Sequence, residues 1–316
     1  MQFNLDQLRA LSATVSEGTL EAAARALNLT PSAVSQRLRA LEAAAGQVLL
    51  VRSKPVRVTP PGEAVLRLAR QVDVLLADTA RELGGTDGAA DSRPPTLPVA
   101  VNADSLTTWV LPAVAPLADS LCLDLYREDQ TRTSALLRDG TVVAAVTADA
   151  EPVPGCSSTR LGAMRYRPMA APAVVERWFP DGATATALAT APVVVFDRAD
   201  DLQYGYLRSR ARRGARLEPP AHHVPSSADY LTAVLLGMGW GMLPDLQSER
   251  HVRAGELVEL DPRGHVDVVL YWQQWKLRSP SLDRLTEAIL AAARERLDQR
   301  PVPGPVLIGH RPIATP

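Results

Sequence analysis

Apolar residues recur at helical spacing up to about residue 46, as Leu5, Leu8, Leu11 and Val15 and then as Leu20, Ala23, Ala24 and Leu27, which predicts short packed helices. The stretch QVLLVRSKPVRV, Gln47 to Val58, is rich in valine with Pro55 in its second half, and reads as two short strands around a turn, a wing. A long helix follows, because Thr59 suits the cap, Pro60 suits the first helical position, and no breaker comes between Gly62 and Gly84. Along it Val65, Leu68, Val72 and Leu75 alternate steps of three and four. Such a seam serves either pairing with a second helix or packing on its own domain.

The segment GGTDGAADSRPPT, Gly84 to Thr96, is dominated by Gly, Pro and small polar residues and reads as a hinge. Beyond it strand-like runs (LPVAV, LCLDLY, TVVAAVT, APVVVF, HHVP, DVVLYW) alternate with helical ones (LTTWVLPAVAPLA, TRTSALLRD, DDLQYGYLRSRAR, ADYLTAVLLG). That alternation predicts α/β architecture with largely parallel sheets. The last helix is expected over Ser281 to Leu297, and the prolines of PVPGPVLIGHRPIATP predict a disordered tail.

Within the first part, Thr30 as cap and Pro31 as first helical residue start a helix on which Ser32, Ser35, Gln36 and Arg39 share one stripe. Val34, Leu38 and Leu41 fall opposite. The stripe carries an amide, a guanidinium and two hydroxyls, groups that hydrogen-bond base edges and phosphates, although a solvated face looks similar. Leu20 to Leu27 forms a shorter helix before it, and Asn28-Leu29-Thr30 a tight turn with Leu29 as apolar plug. Helix, turn and polar-faced helix make a helix-turn-helix, Gly18 to Arg37, whose second helix enters the major groove.

Charge changes the picture locally. The chain of 316 residues has a formal net charge of -1, yet between Arg25 and Arg57 the cations Arg25, Arg37, Arg39, Arg52, Lys54 and Arg57 face only Glu42. Arg52 and Lys54, on the wing, are candidate phosphate contacts. With 46% apolar and 22% charged residues the composition is globular, and the length asks for more than one domain. Cys122 and Cys156 form no CxxC and no metal-spaced cluster, so neither a disulfide scaffold nor a zinc site is expected. Cys122, within LCLDLY, is expected to be buried. A reducing cytoplasm fits. The longest mostly apolar stretch, LTAVLLGMGWGML, is shorter than the roughly 20 residues that span a bilayer, and no export signal is read at the N-terminus.

The residues GTLEAAARALNLTPSAVSQRLRALE, then the wing, then TPPGEAVLRLAR closely resemble the N-terminal domain of LysR-type transcriptional regulators, and the order of parts agrees along nearly the whole chain. The resemblance implies an α+β multidomain chain. Residues 1–58 would be a winged helix-turn-helix, 59–83 a dimerisation helix pairing through Val65, Leu68, Val72 and Leu75, and 84–96 a hinge. Residues 97–299 would form a two-lobed α/β effector-binding domain resembling periplasmic binding proteins, and 300–316 the tail. It also implies a homodimer or homotetramer, an inverted-repeat operator on double-stranded DNA and RNA polymerase as a partner.

An effector between two α/β lobes is expected near strand ends and helix starts, where N–H groups favour a carboxylate. VNADSLTTW has that layout, with loop Asn102-Ala103-Asp104 and a helix from Ser105, and Ser226 with Ser227 offers a second helix start. Simple capping would use the same residues. Acids at strand ends, Asp104, Glu128 with Asp129, Asp149 and Asp197, suit a cation if they face the cleft. VNADSLTTWVLP, DQTRT, FDRADDLQ, MGWGMLPDLQ and LYW further resemble the LysG/ArgP branch, which implies L-lysine or L-arginine as effector and basic amino acid export genes as targets. The candidate effector set is Asn102, Asp104, Ser105, Asp129, Thr147, Asp197 and Ser226, with Asp129 ranked first for the side chain. A different small-molecule effector is the alternative within this class.

No nucleophile, base and orienting acid stand at informative spacing, and no phosphate loop or metal cluster is present, so catalysis and a cofactor are not expected. Gly237, Gly239 and Gly241 follow a helix and precede a strand, the reverse of a dinucleotide loop. Trp109, Trp240, Trp272 and Trp275 read as packing, and His222-His223 lacks a ligand set. A solute-binding protein of transport would explain the two lobes but not the helix-turn-helix.

Overall fold

A computed structural model describes residues 2–51, 53–83, 94–127, 130–198, 200–211 and 216–301. Helix α1 (Leu5–Glu17) opens on a capping box, with the Asn4 side chain accepting from the Asp6 N–H at 2.8 Å and the Gln7 side chain from the Asn4 N–H at 3.4 Å. It closes at Gly18, where φ is 73°. Helix α2 (Leu20–Ala26) is capped by Thr19, and Asn28, at φ 53°, supplies the left-handed step of the turn to α3 (Pro31–Ala45). Helix α3 ends at Gly46, where φ is 69° and the Gly46 and Gln47 N–H groups donate to the Ala43 and Glu42 carbonyls.

One core unites these helices. Leu8 and Leu11, Ala23 and Ala24, and Val34, Leu38 and Leu41 pack with Leu49, Leu66 and Ala69. Leu5, read as a core position, is 46% exposed because it is the first residue of α1 and has no turn before it. Two short antiparallel strands, β1 (Leu50–Val51) and β2 (Arg57–Val58), make the wing. Helix α4 (Pro60–Leu83) starts as its cap and proline indicate, with the Gly62 N–H donating to Thr59 Oγ1 at 3.1 Å. A Cβ on Gly62 would lie 2.0 Å from the Leu49 carbonyl oxygen, so glycine is what lets the helix start against the strand.

The remaining strands are β3 (Thr96–Val101), β4 (Cys122–Arg127), β5 (Ala144–Thr147), β6 (Cys156–Ala170), β7 (Val193–Val195), β8 (Ala221–His223), β9 (Gly241–Pro244), β10 (Val258–Glu259) and β11 (Val266–Trp275). The described residues of 1–102, 114–159 and 271–289 form one compact unit, and those of 103–113, 160–270 and 290–316 a second. In the first, β3 lies between β4 and β5, parallel to both, and β5 pairs antiparallel with the end of β11. In the second, β6 pairs antiparallel with β9 and β10, while β7 and β8 run parallel.

The sheets are therefore mixed rather than largely parallel. Parallel pairing holds where a helix crosses over between β3, β4 and β5. It fails at the long strands β6 and β11, which carry the chain between the units. Cys122 is exposed, not buried, because it opens β4, which among the described residues pairs only with β3. The last helix, Pro280–Arg296, lies where the pattern placed it. The tail from residue 302, hinge residues 84–93, and Arg52, Glu128 and Asp129 lie outside the described residues.

Candidate functional site

On α3 the two faces divide as the spacing indicates. Thr30 Oγ1 accepts from the Ala33 N–H at 3.2 Å, and Val34, Leu38 and Leu41 are buried. Ser32, Gln36 and Arg39 are exposed and Ser35 is half-buried. The Arg39 Nε donates back to the Ser35 carbonyl at 3.4 Å, a long bond that leaves the guanidinium available. Arg37 pairs instead with Asp6 of α1 at 3.1 Å, which ties the helix into its module.

Glu42, the acid in this basic stretch, is turned to structural use. Its Oε1 accepts from the Leu49 and Leu50 N–H groups at 2.9 and 3.4 Å, fastening α3 to the start of the wing. Arg25, Lys54 and Arg57 stay exposed. The result is a polar helix face beside exposed cations, chemistry suited to base edges and phosphates.

In the sensor the helix after β3 begins at Ala103, two residues earlier than expected, and passes through a wide π turn, Leu106–Val110. Asp104 is thus helical rather than in a loop, and Ser105 is fully buried, so Ser105 offers no open hydroxyl to a carboxylate. The Asp104 carboxylate accepts from Ser227 Oγ at 2.6 Å and from Tyr166 OH at 2.8 Å. Burial raises its pKa above the ordinary carboxylate value, and these two bonds oppose the rise. Burial and the neighbouring Asp104 charge raise that of Tyr166 in turn.

Ser226 caps the helix Ser227–Leu235, accepting from the Asp229 N–H at 3.5 Å, and Asp197 Oδ1 accepts from the Asp200 N–H at 2.9 Å. Asp104, Asp197 and Ser226 all belong to the second unit. Asn102, the residue after β3, and Thr147 belong to the first, where the buried Thr147 Oγ1 accepts from the Asp149 N–H at 3.1 Å.

Sequence reasoning missed Tyr166 and the contact made by Ser227. Only the Ser226-Ser227 doublet carried a signal. Trp109, Trp240, Trp272 and Trp275 are buried packing residues, and His222 and His223 are exposed on β8. Among the described residues no group of three His, Cys, Asp or Glu is placed to hold a metal, and no helix is long and apolar enough to cross a membrane.

A winged helix-turn-helix with an exposed polar helix face, followed along the chain by a long helix and then by α/β elements, is the architecture of a one-component transcriptional regulator. Residues 5–63 match the bacterial regulatory helix-turn-helix protein of the lysR family, and residues 91–294 match the LysR substrate binding domain. The chain belongs to the LysR family of transcriptional regulators and is of the LysG/ArgP type.

The HTH-type transcriptional regulator LysG of Mycobacterium tuberculosis is 43% identical over 292 residues, 92% of this chain and 94% of that one. ArgP of Pseudomonas aeruginosa is 41% identical over 299 residues, 93% and 97% of the two chains. The crystal structure of ArgP from Mycobacterium tuberculosis superposes with a TM-score of 0.81 at 40% identity, covering 95% of this chain and 100% of that one. Full-length LysG from Corynebacterium glutamicum with bound effector Arg gives 0.72 at 38% identity, covering 94% and 100%.

Proposed function

We propose that this regulator senses L-arginine or L-lysine and controls transcription of an amino acid exporter gene. The observation that carries the effector assignment is the likeness over 94% of the chain to the LysG structure with bound effector Arg. The target assignment is supported by a relative from Corynebacterium efficiens, 42% identical over 292 residues, that is named a lysine export transcriptional regulatory protein. A regulator with a different small-molecule effector is the alternative.

On DNA, Ser32, Ser35, Gln36 and Arg39 read the major groove, with Thr30 and Pro31 setting the helix start, and Arg52 and Lys54 contact phosphates from the wing. Two copies pair through α4. Leu68 and Leu75 stand one heptad apart with 39% and 40% of their surfaces exposed, while Val65 and Val72 lean on the module's own core. Such a pair calls for an inverted-repeat operator with half-sites about one helical turn, or a multiple, apart. Higher association to a homotetramer, contact with RNA polymerase and a cytoplasmic location complete the reading.

Asp104, Asp129 and Asp197 supply the negative side of the effector site, and Asn102, Thr147 and Ser226 supply polar contacts. The ligand acts by binding one arrangement of the regulator better than another, so its differential affinity sets how the reading helices meet DNA. Calorimetric titration of the full chain with L-arginine and L-lysine tests the assignment. Saturable heat with either amino acid is expected, and none with both overturns it.

A further inference from the structure

We propose that Arg70 is the positioning residue that joins the sensor to the DNA-reading module, and that the state of the effector site reaches α3 through it. The proposal rests on the basic amino acid effector argued above and names the contacts by which its binding acts on the reading helix.

All of these contacts lie within the first unit. Thr147, a candidate effector contact, accepts from the Asp149 N–H, and Asp149 Oδ2 accepts from Ser134 Oγ at 3.1 Å. Ser134 belongs to the helix Gln130–Arg138. At the far end of that helix the Arg138 carbonyl accepts from Arg67 Nη1, and the Thr141 carbonyl accepts from Arg70 Nη1. Between these two carbonyls the turn is held by Asp139 Oδ1, which accepts from the Thr141 N–H at 2.8 Å. Arg70 Nη2 then donates to Ser16 Oγ, near the end of α1, at 3.0 Å. One side chain on α4 therefore bonds the sensor and the first helix of the module together. Helix α1 is in turn fastened to α3 by the pair Arg37–Asp6 and by their shared core.

The joint is stiff at its contacts and has space beside them. Gly140, at φ 80°, brings the turn so close to α4 that a Cβ there would lie 2.7 Å from Arg67 Cγ and 3.0 Å from the Arg67 nitrogen. Arg70 is 5% exposed, and its Nε has no hydrogen-bond acceptor. Burial lowers its pKa from the ordinary value, opposed by Tyr126, Asp124 and Asp139. A buried guanidinium that lost the Thr141 carbonyl as well would be costlier still, so α4 follows that carbonyl rather than slipping off it. A cavity of about 280 Å³, lined by Ser12, Ser16, Arg70, Asp73, Thr96 and Asp124, leaves α4 room to shift. Further along α4, the Asp78 carboxylate accepts from Ser279 Oγ at 2.5 Å and from Ser281 Oγ at the start of the last helix, and this hold is the pivot.

The test measures affinity for the DNA upstream of the protein's own gene by fluorescence anisotropy, with and without saturating L-arginine or L-lysine. Calorimetry follows amino acid binding in parallel. Full-length wild type, Arg70→Met, Ser134→Ala and their double variant are compared, each checked for folding by circular dichroism. Wild type should change its DNA affinity by at least about fivefold when the amino acid is added. Each single variant should bring that factor below about twofold, while its affinity for the amino acid stays within about threefold of wild type. The double variant should lose no more than Arg70→Met alone, because the two residues act in series.

If calorimetry finds that wild type binds neither amino acid, the effector reading fails and the relay falls with it. If an amino acid binds but wild-type DNA affinity does not respond, the relay alone is overturned. A loss of DNA affinity in Arg70→Met that is equal with and without the amino acid makes Arg70 a packing residue only, and likewise overturns it. Should Arg70→Met not fold, Ser16→Ala takes its place, because it removes only the Nη2 partner. The full wild-type factor in both Ser16→Ala and Ser134→Ala would then overturn the proposal.

Discussion

Gly62→Ala perturbs the junction that fixes the wing against α4, and its cost follows from the geometry. The added Cβ would meet the Leu49 carbonyl oxygen at 2.0 Å, far inside ordinary contact. Relieving it requires the backbones to separate by about 1 Å or more. Leu49 is 1% exposed and belongs to the module core, so the strand has little room to yield. Separation strains the bond from the Thr59 N–H to the Leu49 carbonyl at 2.9 Å and that from the Thr59 hydroxyl to the Val48 carbonyl at 2.7 Å.

Overpacking costs about 1–3 kcal/mol. Weakening two hydrogen bonds adds about 1–2 kcal/mol, and the helix preference of alanine over glycine returns up to about 1 kcal/mol. The net expected loss is about 1–5 kcal/mol, read by urea denaturation of the variant against wild type. Gly205→Ala is the control, because that glycine lies inside a helix with only the Arg208 side-chain tip near the added Cβ, at 3.7 Å. It should be neutral or stabilising by up to about 1 kcal/mol. Gly62→Ala should also weaken operator binding by displacing the wing from α3. A variant as stable as wild type and with unchanged affinity would refute the reasoning.

Other consequences separate the roles of individual residues. Gln36→Ala should remove about 1–3 kcal/mol of discrimination at one operator position. Lys54→Ala should instead weaken all sequences alike and reduce the salt slope by about 0.9; binding-site selection with salt titration separates the two. The double substitution Leu68→Lys with Leu75→Lys should convert dimers to monomers in sedimentation, leaving circular dichroism unchanged. For ligand-free protein the Asp200 carboxyl, at about 6 when folded and near the ordinary 3.8 when unfolded, holds its proton more tightly in the folded state. Its contribution to stability is thus lost as pH rises from about 4 through 6. Between pH 5 and 7, D200N should therefore show a flatter stability profile than wild type in thermal melts.

The DNA-reading half was legible because its signals are local. Thr30, Pro31, Asn28 and Gly46 set the ends of α3 through their own side chains and backbone preferences, and Val34, Leu38 and Leu41 set its face through spacing alone. The sensor depends on partners far apart in the chain. Strand β6 is not among the strand-like runs, because Arg165 and Arg167 interrupt its apolar positions; they lie on a half-buried strand where Asp267, and Asp245 with Glu259, neutralise them.

Asp200 failed to stand out for a similar reason. An Asp-Asp doublet ahead of a helix looks like a solvated cap, and nothing local indicates that burial raises the pKa of its first carboxyl. The Cys122 side chain illustrates a further limit, since the alternation within LCLDLY gives two faces without saying which one is covered.

Footprinting of the full-length protein on the DNA upstream of its own gene, with and without L-arginine or L-lysine, tests the central claim most directly. The account predicts protection of an inverted repeat, with an affinity or extent of protection that changes when a basic amino acid is added. Absence of protection, or protection indifferent to both amino acids, would contradict it.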